Sequence, residues 1–262
     1  MNKDLRARVI SAVFIVIFLG LMIFVSKYFL LLGTLILSIG SILEISRVLD
    51  EIKYKPIVIP AIIFNICALL LMFYVADVKI MYLLSLYLIS LLIIMIFNEN
   101  ISINNVTASI FVAVYITIAY SYILYIKEPK WVVLLFGISS VTDTFAYLVG
   151  VKFGKTKLYE KLSPKKTIEG SIGGIIGALL FGLVYKVFFN IEINIIAFLL
   201  TILVMSIISQ IGDLMASYIK RKAGVKDYGN LIKGHGGFMD RFDSILLITP
   251  ILGIILNLMG VL

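Results

Sequence analysis

The sequence predicts an all-α, polytopic integral membrane protein with about nine transmembrane helices and a cytosolic N-terminus. Three observations carry that reading. First, 61% of the 262 residues are apolar, 15% are charged and mean hydropathy is +1.11. A soluble domain has roughly 45–50% apolar and about 25% charged residues on a slightly different residue set. At this length a water-soluble fold has too little interior to hide such a surface, so the solvent is largely lipid. Second, the apolar residues fall into nine runs, near 9–25, 28–46, 56–75, 80–97, 106–126, 131–151, 171–189, 194–212 and 244–262. Each is close to the roughly 20 residues that a helix needs to cross the hydrocarbon core. Third, the runs lack the period-2 alternation of a β-barrel, so their backbone groups must pair within each segment as helices. A soluble enzyme, a disordered chain and a disulfide scaffold are excluded together, and the single Cys67 leaves no intrachain disulfide.

Taken in order, Lys3, Asp4, Arg6 and Arg8 precede the first run. Ser26-Lys27-Tyr28 after it is not a small-residue cleavage site, so the run reads as a retained span rather than a signal peptide. The next four runs carry almost no polar chemistry and complete an N-terminal apolar part, residues 1–126. Residues 131–262 supply four more spans and two long polar loops, 152–170 and 213–243. Residues 1–262 are expected to form a single transmembrane domain.

The 23 basic residues outnumber the 15 acidic ones, a net charge of +8. With the N-terminus inside, 18 of the 23 fall on the inner side, as the positive-inside rule requires. Both long loops then face the cytosol and hold 12 of the 23. Chemistry on polar substrates is expected there, in a bacterial-type plasma membrane, and no nucleic-acid partner is expected.

Three places hold polar residues that span formation does not explain. Asp143 lies within the sixth run, and Asp143, Tyr147, Gly150 and Gly154 form one helical stripe. An ionisable group inside a span marks either a packing ion pair or, by default, a functional site. The loop Ser163-Pro164-Lys165-Lys166-Thr167-Ile168-Glu169-Gly170 puts two lysines ahead of a helix whose first turns hold Gly170, Gly173, Gly174 and Gly177. A helix N-terminus with paired lysines suits phosphate, whereas glycines at this spacing also serve close helix packing. The third place follows the eighth run. On a helix, Asp213, Ser217 and Lys220 share one face, and Arg221, Lys226, His235, Asp240, Arg241 and Asp243 follow. Carboxylates among lysines and arginines suggest Mg²⁺ with phosphate. His235 is the only histidine, so a zinc site is out of reach. A nucleophile elbow, a Walker A loop and a dinucleotide fingerprint are all missing.

Ser217-Tyr218-Ile219-Lys220-Arg221, Lys226-Asp227 and His235-Gly236-Gly237-Phe238-Met239-Asp240-Arg241-Phe242-Asp243 resemble the signature of the phosphatidate cytidylyltransferases, the CDP-diacylglycerol synthases. Asp143 to Gly154 and Ser163 to Gly170 resemble that family's upstream motifs, so the likeness covers about residues 139–250. It implies transfer of CMP from CTP to phosphatidate, with Mg²⁺, by a polytopic helical homodimer in contact with membrane lipid. Carried over by motif, Asp213 and Asp240 are the metal ligands, with Ser217 and Asp243 near the same site. Lys165, Lys166, Lys220 and Arg221 hold phosphates, and Asp143, Lys226, His235 and Arg241 complete the substrate set. A second, monovalent cation stays open. Two positions depart from the family pattern: Ala216 stands where Glu is usual, and Lys233 where Pro is usual.

The residue types suit the reaction. Phosphatidate carries a phosphate monoester with a second pKa of about 6, so this nucleophile is ionised at neutral pH and needs no protein base. The obstacle is bringing one polyanion onto another, which cations offset. A transporter, a CTP-dependent enzyme acting on an isoprenoid lipid, and an inactive relative are the competing expectations.

Overall fold

Long apolar runs leave the backbone one way to satisfy itself in lipid, and they are helical here. The computed structural model describes residues 3–75, 80–126, 128–229 and 236–261, with side chains from residue 13 onward. The helices are α1 (Lys3–Phe24), α2 (Lys27–Asp50), α3 (Val58–Tyr74), α4 (Ile80–Phe97), α5 (Ile103–Tyr125), α6 (Pro129–Phe153), α7 (Ile168–Phe188), α8 (Ile195–Lys222) and α9 (Met239–Leu258). Between α6 and α7 lie two strands, β1 (Lys157–Tyr159) and β2 (Ser163–Thr167). Among the described residues, seven helices, α2 and α4 to α9, are long and apolar enough to cross a membrane; the apolar segments Val13–Phe24 and Val58–Tyr74 are shorter. The chain is an all-α, polytopic membrane protein.

The structure differs from the sequence reading at three places. Residues 157–167 form an antiparallel hairpin, with Lys157 opposite Thr167 and Tyr159 opposite Ser163. Helix α8 runs ten residues past the apolar stretch, to Lys222, and α9 starts at Met239, ahead of its apolar stretch. Helix α8 stops where Gly224 takes φ +69, a left-handed conformation that suits glycine and ends helices. Lys220, Arg221 and Lys222 occupy its last turn, where cations complement the helix dipole.

The chain divides into two compact units, Met1–Lys127 with Ile219–Phe242, and Glu128–Tyr218 with Asp243–Leu262. In the first, α2, α3 and α5 enclose a polar cluster. Asn65 Nδ2 donates to Ser38 Oγ at 2.8 Å, and Thr117 Oγ1 donates to Asn65 Oδ1 at 3.1 Å. All three side chains are fully buried. Such bonds tie helices together where lipid gives no hydrophobic drive to associate. Helix α4 lies along α3 through Phe64 and Tyr87, whose rings stack at 4.9 Å.

In the second unit, α6 and α7 pack along the glycine stripe. A Cβ at Gly174 would lie 2.8 Å from the Thr142 carbonyl oxygen, and one at Gly170 would lie 2.6 Å from that of Ala146. The absence of side chains lets the two backbones meet. Tyr185 Oη donates to the Lys130 carbonyl at 2.5 Å, and Thr142 Oγ1 donates to Ser206 Oγ of α8 at 3.0 Å.

Candidate active site

Helix α7 is positioned by its own start. Thr167 is the N-cap, and its hydroxyl accepts from the Gly170 amide at 3.1 Å. Glu169 in the first turn reaches back to accept from the amides of Lys155 and Thr156 at 3.1 and 3.2 Å. The Ile168 amide donates to the Thr156 carbonyl at 2.9 Å. Cap, acid and backbone together fasten the hairpin to the end of the helix. Lys157 Nζ closes it further by donating to the Pro164 carbonyl at 2.7 Å.

This arrangement frames a pocket of about 670 Å³, whose wall includes Asp143, Lys157, Lys165, Lys166, Gln210 and Asp213. That volume is in the range of small-molecule sites. Asp143 comes from α6, the lysines from the hairpin, and Gln210 and Asp213 from α8. Lys166 Nζ is ion-paired to Asp213 Oδ2. Ser244 Oγ donates to Asp143 Oδ2 at 3.5 Å, and Gln210 Nε2 donates to the Ser171 carbonyl at 3.3 Å. Four residues singled out in the sequence, Asp143, Lys165, Lys166 and Asp213, therefore meet around one cavity. The glycines after Thr167 serve the helix contact that shapes it.

A second cluster lies in the other unit. Lys220 Nζ donates to Asp240 Oδ1 at 2.8 Å, with the Asp240 side chain 5% exposed. Asp240 Oδ2 accepts from the amides of Tyr228 and Gly237 at 2.7 and 3.0 Å. Such a carboxylate organises the chain around it, since a buried charge persists only when paired and hydrogen-bonded. Lys220 also lies 5.2 Å from the centre of the Tyr228 ring, within cation–π range.

The remaining residues are more scattered. Ser217 is half-buried one turn beyond Asp213, and Ala216 is fully buried. Asp243 is buried, and its Oδ1 accepts from the Ser244 amide at 2.8 Å. Arg221 Nη1 donates to the Val225 carbonyl at 3.4 Å. Lys226 and Arg241 are exposed. His235 and Lys233 lie outside the described residues.

Among the described residues no three His, Cys, Asp or Glu side chains gather in a way that could hold a metal by themselves. Mg²⁺ characteristically takes one or two protein carboxylates and completes its shell with water and substrate phosphate. Asp213, which lines the same cavity as Asp143, fits that mode. Asp240 would have to release Lys220 to do so.

Sequence reading missed Lys157, Gln210 and Ser244, whose signal was only proximity in the chain to motif residues. It also missed Glu44, a carboxylate within an apolar run, which the rule that singled out Asp143 would have found.

A family model described as "Cytidylyltransferase family" matches residues 6–259, nearly the whole described chain, and the protein belongs to that family. Among curated relatives, the phosphatidate cytidylyltransferases of Staphylococcus haemolyticus and Staphylococcus aureus are each 38% identical over 135 residues, covering 52% of this chain and 48% of theirs. That of Staphylococcus epidermidis is 38% identical over 127 residues, covering 48% of this chain and 49% of its own. The chain thus spans about half the length of the curated relatives it matches.

Proposed function

We propose that the protein transfers CMP from CTP to phosphatidate, giving CDP-diacylglycerol and pyrophosphate, in a Mg²⁺-dependent reaction on the cytosolic side of the membrane. The observation that carries this reading is the cavity lined by three lysines of the hairpin, Lys157, Lys165 and Lys166, and by two carboxylates, Asp143 and Asp213. The names of the staphylococcal relatives support the choice of phosphatidate as acceptor.

An oxygen of the phosphatidate phosphate attacks the α-phosphorus of CTP. The new P–O bond replaces the bond between the α- and β-phosphates, and pyrophosphate leaves with that electron pair. Lys165 and Lys166 bind and orient phosphate oxygens, and their charge lowers the repulsion between the two anions. Lys166 is held by Asp213 beforehand, so its ammonium is in place for phosphate. Lys220, braced by Asp240, and Arg221 serve phosphate in the same way. Asp213 would hold Mg²⁺, which supplies charge neutralisation when bound. The cytosolic orientation is supported by the 12 of 23 basic residues in the segments 152–170 and 213–243. A homodimer belongs to the same proposal, and mass measurement in detergent tests it.

The test is purified protein with labelled CTP and phosphatidate, with and without Mg²⁺, beside a parallel reaction with a polyprenyl phosphate. Lipid-bound CMP and released pyrophosphate only with phosphatidate and Mg²⁺ is the expected result. Product from the polyprenyl phosphate alone, or no product from a preparation that binds CTP, overturns the reading.

A further inference from the structure

Helix α2 carries a carboxylate, Glu44, that is 6% exposed in a helix buried mainly through Leu, Ile, Ser and Gly. An acid in such a place is costly unless its oxygens find donors. Both do: Oε1 accepts from the Phe238 amide at 3.0 Å and Oε2 from the Met239 amide at 2.8 Å. Met239 is the first residue of α9, and the first amides of a helix have no partner within it. A side chain from the far end of the sequence thus acts as the cap of α9, placing a carboxylate against the positive end of the helix dipole.

The chain around this carboxylate is shaped to admit it. A Cβ on Gly229 or on Gly237 would run into Glu44, and a Cβ on Gly40, one turn earlier on α2, would run into the Phe238 ring. The preceding amide, Gly237, is taken by Asp240. Three consecutive amides, 237 to 239, are therefore held by two carboxylates, and one of these is the partner of Lys220.

We propose that Glu44 is a positioning residue for this reaction. It fixes the entry to α9, so that Asp240 keeps its grip on the loop and holds Lys220 in a single orientation. The activity arm of the test rests on the proposed function; the exchange arm does not.

The test compares wild type, Glu44→Gln and Glu44→Leu in detergent by hydrogen–deuterium exchange and by steady-state kinetics. Gln keeps the shape and one acceptor, whereas Leu removes both. Deuterium uptake in peptides covering 236–243 should rise in the order wild type, Gln, Leu, with peptides from α6 and α7 unchanged. Because Glu44 touches no substrate, kcat should fall by about tenfold or more, while KM for both substrates stays within about twofold. Unchanged uptake in 236–243 for Glu44→Leu overturns the proposal, as does raised uptake with undiminished kcat. If the leucine variant does not fold, Glu44→Gln carries both arms under the same criteria. A wild-type protein that makes no product overturns the proposed function instead, and the exchange data then decide alone whether Glu44 fixes the α9 entry.

Discussion

Gly174→Ala inserts one methyl group where α7 meets the backbone of α6. Its Cβ would lie 2.8 Å from the Thr142 carbonyl oxygen and 3.2 Å from the Ala146 Cβ, whereas ordinary contact begins at 3.4 Å. The helices must therefore part by about 0.6 Å, the difference between 3.4 and 2.8 Å. A radial gap of ~0.5–1 Å forfeits a quarter to a half of the dispersion well for each atom pair involved. Against this, alanine gains about 1 kcal/mol over glycine in helix propensity. Overpacking a tight contact costs ~1–3 kcal/mol, and the opposing group here is backbone, which has no rotamer to change. The net expectation is a loss of about 1–2 kcal/mol once the lost contacts are added to the overpacking cost. At ~2–4 °C per kcal/mol for a chain of this size, the midpoint should fall by roughly 2–8 °C. The assay is thermal unfolding in detergent at a fixed scan rate, since unfolding of such proteins is often irreversible. Gly20→Ala is the control, because nothing lies within 4 Å of its added Cβ, and its midpoint should hold or rise. A Gly174→Ala midpoint equal to or above wild type would refute the argument that this glycine sets the α6–α7 spacing.

Asp213→Asn removes the charge that holds Lys166 and the carboxylate proposed to hold Mg²⁺. Turnover should fall by about 100-fold or more, by analogy with the loss of one preorganised charge-stabilising group, with thermal stability near wild type. Thr167→Val deletes the α7 cap at nearly constant volume, and thermal melts should show a loss of about 1 kcal/mol. Asn65→Leu leaves Ser38 and Thr117 without their shared partner. Interhelical hydrogen bonds in membranes are worth about 0.6–2 kcal/mol each, so a loss of about 1–4 kcal/mol is expected for the two bonds, and an unchanged melt would remove the cluster from the account of stability.

The spans were legible because lipid imposes a length and a composition that few other structures share; the runs at 28–46 and 131–151 became α2 and α6 almost unaltered. The hairpin was not legible. Lys157–Tyr159 and Ser163–Thr167 are too short and too polar to show a strand period, and their pairing is fixed from outside, by Glu169 holding the Lys155 and Thr156 amides. Helix ends were read too tightly for a related reason. The apolar stretch of the eighth run stops at 212, but α8 continues for ten residues, because a helix that leaves the hydrocarbon needs only hydrogen bonds and a suitable stop signal, here Gly224.

The site residues divide along the same line. Residue type and spacing were enough to gather Asp143, Lys165, Lys166 and Asp213, because these face one cavity from three neighbouring elements. They were not enough to separate Asp213 from Asp240, which looked alike as carboxylates at the inner ends of spans. The distinction lies in what surrounds each. Asp213 opens onto the cavity with one lysine, while Asp240 is enclosed and accepts from two amides and a lysine. Backbone donors of that kind leave no mark on a sequence, since every non-proline residue carries one. The carboxylates that bind them are visible only by exception: Glu44 in an apolar run needs a reason to be there, and the reason is the amides of Phe238 and Met239, nearly 200 residues away. The one buried acid of α2 thus belongs with the C-terminal motif.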